Sequence, residues 1–271
     1  MMNLADRVAV LSGAGSGIGR ALALGLARRG CHLALADINE AALAQTADAA
    51  ASLGVRVSRH LLDVASRAAV AALPAAVQAA HPRVDLLINN AGVALAGNFD
   101  EVSEADFDWL MEINFHALVR MTRAFLPLLQ AGRNGARIVN VSSLYGLISP
   151  PGQAAYSSSK FAVRGFSNAL RHELEGSNVG VTVVHPGGVA TAIAASARVG
   201  EKTSAGELQK QLKQAEKMLR LPPERAAEVI VRGIECERAR VLVGSDAKIV
   251  ALIERLVPVH YWRVLGRLVT P

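Results

Sequence analysis

Tyr156 and Lys160 stand four residues apart, and Ser143 comes thirteen residues before Tyr156. If this segment is helical, a spacing of four puts the phenol and the amine on one face. A phenol with a pKa near ~10 is a poor base at neutral pH, and a neighbouring ammonium favours the phenolate. A tyrosine so placed can protonate a carbonyl oxygen or remove an alcohol proton. A nearby serine hydroxyl can hydrogen-bond the same oxygen and stabilise the charge that develops there. By composition alone Ser142 competes with Ser143 for that part. A Tyr-x-x-x-Lys pair in isolation is more often a solvated helix face, so the surrounding residues must decide.

The first of these is Gly13-Ala14-Gly15-Ser16-Gly17-Ile18-Gly19-Arg20, which follows an apolar run. Glycines here let the backbone turn sharply and approach a pyrophosphate, while the N-terminus of a following helix offers free N–H groups to the anion. Ile18 breaks GxGxxG, and the spacing fits GxxxGxG through Gly13, Gly17 and Gly19. Eighteen residues after Gly19 stands Asp37. A carboxylate there can accept hydrogen bonds from two adenosine ribose hydroxyls and would repel a 2′-phosphate, which favours NAD over NADP. The competing role for Asp37 is a cap on the next helix.

These residues need a frame. Short apolar runs at Val8–Leu11, His32–Ala36, Val55–Leu61, Leu86–Ile88, Ile138–Val141, Val181–Val184 and Val241–Val243 alternate with helix-compatible stretches. The stretches are Arg20–Arg29, Glu40–Ser52, Arg67–Ala80, Glu104–Leu129 and Ala155–Glu175. Nearly all-apolar strands are buried on both faces, so the pattern predicts one doubly wound, Rossmann-type α/β domain. Its parallel sheet has about seven strands flanked by helices. Ser143 then lies at the C-terminal end of a strand, where such sheets place their chemistry. The expected organisation is a domain over 1–247, a substrate lid near 190–221 and an amphipathic extension over 248–271.

Together, Gly13-(x3)-Gly17-x-Gly19, Asn89-Asn90-Ala91-Gly92, Asn114, Ser143, Tyr156-(x3)-Lys160 and Pro186-Gly187-(x3)-Thr191 resemble the short-chain dehydrogenase/reductase superfamily, over about residues 5–245. The resemblance implies an NAD(P)-dependent oxidoreductase that interconverts a secondary alcohol and a ketone. It selects Ser143 over Ser142 and makes Asn114, Ser143, Tyr156 and Lys160 the catalytic set. Lys160 would also hold the nicotinamide ribose, and Asn114 would support a proton-relaying water. Gly13, Ser16, Gly17, Ile18, Gly19 and Asp37 would meet the adenosine and pyrophosphate. Asp63 and Val64 would stand beside the adenine, although Asp63 could equally cap a helix. Asn90, Ala91 and Gly92 would line the adenine, although Asn89 and Asn90 suit turns equally well. Pro186, Gly187, Val189 and Thr191 would form the loop beneath the nicotinamide. A homodimer or homotetramer follows from family habit.

A substrate pocket is expected among Ser143, Leu144, Tyr145, Leu147, Pro151, Gln153, Tyr156 and Gly187. Its apolar character points to a neutral, hydrophobic alcohol or ketone. The 271 residues carry 29 Lys+Arg and 23 Asp+Glu, a formal charge of +6. Residues 1–200 hold 16 basic and 14 acidic side chains, so +4 of the +6 falls after residue 200. With 4% aromatic residues and no block of like charge, a nucleic-acid surface is not expected. The seven histidines lack ligand spacing, so no metal is expected. Gly15-Ser16-Gly17 is too short for a nucleophile elbow. No apolar run reaches the ~20 residues of a membrane span. With two cysteines and no leader-like segment at Met1–Arg7, the expected location is cytoplasmic.

The tail Lys248–Val269 mixes apolar residues with Arg255, Arg263 and Arg267 and is interrupted by Pro258. It could cover the active site or a second subunit, dock on its own core, or lie in a membrane interface. Two other readings of the whole chain stand beside the dehydrogenase: a dinucleotide-binding regulator without turnover, and a membrane-surface lipid or steroid reductase.

Overall fold

The computed structural model describes residues 1–132, 134–200, 203, 206 and 218–269. In chain order the first half runs β1 (Val8–Ser12), α1 (Gly17–Ala27), β2 (His32–Asp37), α2 (Glu40–Ala51), β3 (Val57–Leu61), α3 (Arg67–Ala80), β4 (Leu86–Asn89) and β5 (Leu95–Ala96). Then come α4 (Glu104–Met111), a π-helical turn (Glu112–His116), α5 (Ala117–Ala131), β6 (Ala136–Val141), a 3-10 turn (Leu144–Gly146), α6 (Ala154–Glu173) and β7 (Val179–Pro186). The chain finishes with β8 (Arg198–Val199), α7 (Pro223–Glu235), β9 (Arg240–Val243), α8 (Ser245–Leu256) and α9 (Tyr261–Val269).

Seven strands form one parallel sheet in the order β3-β2-β1-β4-β6-β7-β9. Every residue of β1, β4 and β6 is buried, as the apolar runs require, while β3 and β9 at the two edges are partly exposed. On one face Leu22 and Leu26 of α1 pack with Ile230, Val231 and Ile234 of α7 against β1 and β2. On the other, Met121, Phe125 and Leu129 of α5 meet Val70, Leu73 and Val77 of α3. The strand order reverses between β1 and β4, and the crevice above that switch point is where doubly wound sheets take ligands.

The stretch Glu104–Leu129 is helical throughout, with a π turn at Asn114 between α4 and α5, and the structure departs from the sequence reading in three other places. Apolar spacing does not register one extra backbone residue in a turn. The segment expected as a lid near 190–221 includes a short strand: β8 pairs in parallel with β5, and two residues are too few to show a periodicity. A helix not expected from the sequence, α7, begins at Pro223 directly after Pro222. The tail is two helices parted at Pro258, both docked on this chain through Ala247, Val250 and Leu265. Of the segment expected as a lid, residues 201–202, 204–205 and 207–217 lie outside the described residues. Among the described residues no helix is long and apolar enough to cross a membrane.

Candidate active site

β1 ends at Ser12, and the chain turns at Gly13 with φ +66°, a conformation that suits glycine. A Cβ at Gly13 would stand 2.9 Å from both Ala91 Cα and Asn90 Nδ2. Asn90 fastens this turn by donating to the carbonyls of Ser12 at 3.1 Å and Gly13 at 3.0 Å. The Ser12 hydroxyl accepts from the N–H groups of Asn90 and Ala91. Gly19 closes the turn: a Cβ there would fall 1.8 Å from the Gly13 carbonyl oxygen. At the start of α1 Ser16 is exposed and makes no side-chain cap, so the first N–H groups of the helix remain open to an anion. Ile18 packs on the core below, and Gly17 stands against the Thr191 methyl.

Asp37, half-buried at the end of β2, accepts from the N–H of Gly15 at 2.8 Å and of Asn39 at 2.9 Å. The helix cap of α2 is Asn39, which accepts from Ala42, so the capping alternative for Asp37 fails. Asp63 fails as a cap for the same reason: Ser66 caps α3, while Asp63 is exposed and accepts from Ala65. Val64 and Ala91 line one small cavity with Ser12, Asn89, Ile113 and Met121. Asn89 is structural, its amide bound to Asn140 at 2.9 Å and Thr122 at 3.1 Å.

Across the switch point, β6 delivers Ser142 and Ser143, and α6 presents Tyr156 and Lys160. The two serines part company at once. Ser142 donates to the Lys160 carbonyl at 2.8 Å and is buried against α6. Ser143 starts the 3-10 turn and accepts from the Tyr145 N–H at 3.1 Å, and it is close enough to Tyr156 to lower the pKa of that phenol. The Lys160 ammonium lies 5.6 Å from the centre of the Tyr156 ring and donates to the Val141 carbonyl at 3.3 Å. The Tyr145 ring meets the Tyr156 ring edge-on, centres 6.1 Å apart.

Electrostatics run against the sequence expectation in one respect. Burial pushes the Tyr156 phenol up to about 12, opposed by the neighbouring Ser143 side chain and reinforced by Tyr145. Burial likewise pushes Lys160 down to about 8. Desolvation is the largest influence on each of the two groups.

Asn114 sits in the π turn, 2% exposed. Its amide makes a two-way exchange with the Val93 backbone, at 2.8 and 3.0 Å, and donates to Ser159 of α6 at 3.1 Å. Gly92 lies beside both partners: a Cβ there would be 3.1 Å from Asn114 Oδ1 and 3.4 Å from Lys160 Nζ. The extra backbone residue of the turn thus carries Asn114 into contact with α6 and the loop after β4.

Pro186 is buried at the end of β7, and Val189, also buried, makes a bridge to Leu221. Thr191 is half-buried, its N–H bound to the Val189 carbonyl. Between them Gly188 is gripped from two directions. Its N–H donates to Asp246 of α8 at 2.7 Å, and its carbonyl accepts from Arg220 and Leu221. Gly187 lies directly against the same Asp246 carboxylate.

On the substrate side, Leu144 and Leu147 are buried in a cluster with Ala247, Val250 and Leu265, joined by Trp262 and Tyr261. Tyr145 and Gln153 are half-buried and Pro151 is exposed. Two participants escaped the sequence reading. His185, fully buried on β7, donates from Nδ1 to the Ser143 carbonyl at 2.9 Å and leaves Nε2 without a partner. Burial and the cations Arg240 and Arg164 push it down to about 4, against the raising effect of the Ser143 carbonyl. Asp246 is the other, 58 residues from the glycine it holds.

Residues 7–202 match the family model described as short chain dehydrogenase. A Mycobacterium tuberculosis protein described as an oxidoreductase, SadH, is 44% identical over 270 residues, covering 98% of this chain and 96% of that one. Among solved structures, a short-chain dehydrogenase/reductase from Burkholderia phymatum in complex with NAD aligns with a TM-score of 0.87 and 32% identity. It covers 94% of this chain and 95% of its own. An alcohol dehydrogenase from Thermococcus sibiricus complexed with 5-hydroxy-NADP aligns at 0.74 and 29% identity, over 87% and 94%. With the family model spanning most of its length and a full-length relative at this identity, the chain belongs to the short-chain dehydrogenase family of oxidoreductases.

Proposed function

We propose that this chain is an NAD-linked dehydrogenase that interconverts an apolar secondary alcohol and its ketone. The observation that carries the reading is the grouping of Ser143, at the end of β6, with Tyr156 and Lys160 of α6, the Lys160 ammonium 5.6 Å from the phenol ring, above the sheet's switch point. Residues for a dinucleotide fit around it. The Gly13–Gly19 turn leaves room only for backbone, the open start of α1 suits a pyrophosphate, and Asp37 is oriented by Gly15. Gly13, Ser16, Gly17, Ile18, Gly19, Asp37, Asp63, Val64, Asn90, Ala91, Gly92, Pro186, Gly187, Val189 and Thr191 would hold it. The solved relatives carry NAD in one case and 5-hydroxy-NADP in another, and the Asp37 carboxylate favours the form without a 2′-phosphate.

When bound, the nicotinamide supplies hydride to a carbonyl carbon or accepts it from an alcohol carbon. The rest belongs to this chain. With its pKa pushed up to about 12, Tyr156 keeps its proton at neutral pH and donates it to the carbonyl oxygen as reduction proceeds. Ser143 hydrogen-bonds that oxygen and stabilises its growing negative charge. In the oxidative direction Tyr156 must first lose its own proton to become the phenolate that takes the alcohol proton, and each positive charge beside it, Lys160 included, favours that form. Asn114, locked to Val93 and Ser159, holds the spacing between the loop after β4 and α6. Leu144, Tyr145, Gln153 and Gly187 would surround the substrate, and none is charged.

Following NADH oxidation with a panel of apolar and carboxylate-bearing ketones tests the reading. Turnover of apolar ketones is expected, and Tyr156→Phe should lower kcat by about 10²–10⁴-fold with NADH binding retained. Turnover of no ketone or alcohol, a strong preference for acidic substrates, or an unimpaired Tyr156→Phe would each overturn it.

A further inference from the structure

The inner faces of α8 and α9 are occupied: Ala247, Val250, Tyr261, Trp262 and Leu265 pack on Leu144, Leu147 and Ile148. Their outer face is not. Ile249 is 56%, Leu252 57% and Leu256 71% exposed, and positions 249, 252 and 256 fall on one side of α8. The turn to α9 exposes Val259 at 80%, and α9 exposes Val264. Lys248 and Arg255, two turns apart, border this strip on α8, and Arg263 borders it on α9. All three are exposed, and among the described residues none of them forms an ion pair.

We infer that the outer face of the α8–α9 hairpin is a docking surface for an anionic lipid membrane. Apolar side chains along a helix bordered by lysine and arginine match the interface between acyl chains and negatively charged headgroups. A second copy of the chain matches less well. A two-fold contact through this face would bring two copies of its cationic border together. The nearby carboxylates do not offset them: Asp246 holds Gly188, and Glu254 lies half-buried toward Arg240. The chain's charge points the same way, since residues 201–271 hold 13 basic and 9 acidic side chains. A membrane met by this face would lie on the far side of two helices from Leu144 and Leu147. The protein would rest on it as a peripheral passenger, since no described helix is able to span it.

Flotation of the full-length protein decides the matter, with vesicles of phosphatidylcholine alone and of phosphatidylcholine mixed with phosphatidylglycerol. Binding to the mixed vesicles is expected, weakening as salt rises, with little binding to phosphatidylcholine alone. Lys248→Gln with Arg255→Gln should weaken partitioning about fivefold for each cation removed. Leu252→Gln with Leu256→Gln should abolish it. All four positions are exposed, so circular dichroism and ketone turnover without vesicles should be unchanged in both variants. No flotation with anionic vesicles, or flotation indifferent to both pairs of changes, overturns the inference. It is equally overturned if sedimentation velocity shows self-association that the leucine changes abolish, in a protein that ignores vesicles. The dehydrogenase reading is untouched by any of these outcomes, because it is measured in solution.

Discussion

A single carboxylate illustrates how much the candidate site asks of individual residues. Asp37 is set by two backbone N–H groups, one from the glycine turn and one from Asn39. Each oxygen keeps lone-pair capacity beyond these bonds, and an oriented carboxylate is what selective recognition of ribose hydroxyls needs. Asp37→Asn keeps an oxygen for Gly15 and removes the charge that repels a 2′-phosphate. The ratio of NADPH to NADH dissociation constants, by isothermal titration, should therefore fall by about tenfold, on the order of 1.4 kcal/mol. An unchanged ratio would show that Asp37 does not set cofactor preference. The aspartate was readable from its distance to the glycines, since a turn and a strand of ordinary length separate them. The hand that aims it was not, because backbone N–H groups leave no mark in a sequence.

At the scale of elements, the loop after β7 depends on parts of the chain far from it. Gly188 is tied through its N–H to the first turn of α8 and through its carbonyl to the segment before α7. Removing the first tie in Asp246→Ala should raise the NADH dissociation constant about fivefold, near 1 kcal/mol for a solvent-exposed carboxylate bond. Asp246→Asn, which still offers an oxygen, should recover most of that loss, and kcat should change less than KM in both. Equal loss in the two variants would assign Asp246 a charge effect in place of a positioning one. The strands and most helices were legible because burial on two faces or one writes itself into apolar spacing. Asp246, β8 and the π turn were not. Each is defined by a partner distant in sequence or by one added backbone residue, and neither changes local composition.

For the molecule as a whole, the buried histidines set its tolerance of acid. His185 titrates near 4 in the folded chain and near 6.5 when unfolded, so the unfolded chain binds the extra proton first. Stability is therefore present above pH 6.5 and is lost as pH falls toward 4, by on the order of 3 kcal/mol. Burial lowers His60 and His81 as well, so the loss is shared. Urea unfolding at pH 7 and pH 4.5 should show a smaller drop for His185→Asn than for the parent, since asparagine can still donate to the Ser143 carbonyl. An equal drop would remove His185 from the account. No sequence signal marked this residue: only the parallel register of β6 and β7 puts it behind Ser143.

The five-residue turn at Glu112–His116 also constrains how this chain can change over time. Losing one codon there would restore regular winding and leave the helix beyond it in phase, because the wide turn already absorbs the extra residue. Met121, Phe125 and Leu129 would keep their places in the core, while Asn114 would lose the position from which it reaches Val93. A deletion in this stretch is therefore an injury to the site more than to the fold, and shortening here should leave a stable chain with impaired turnover.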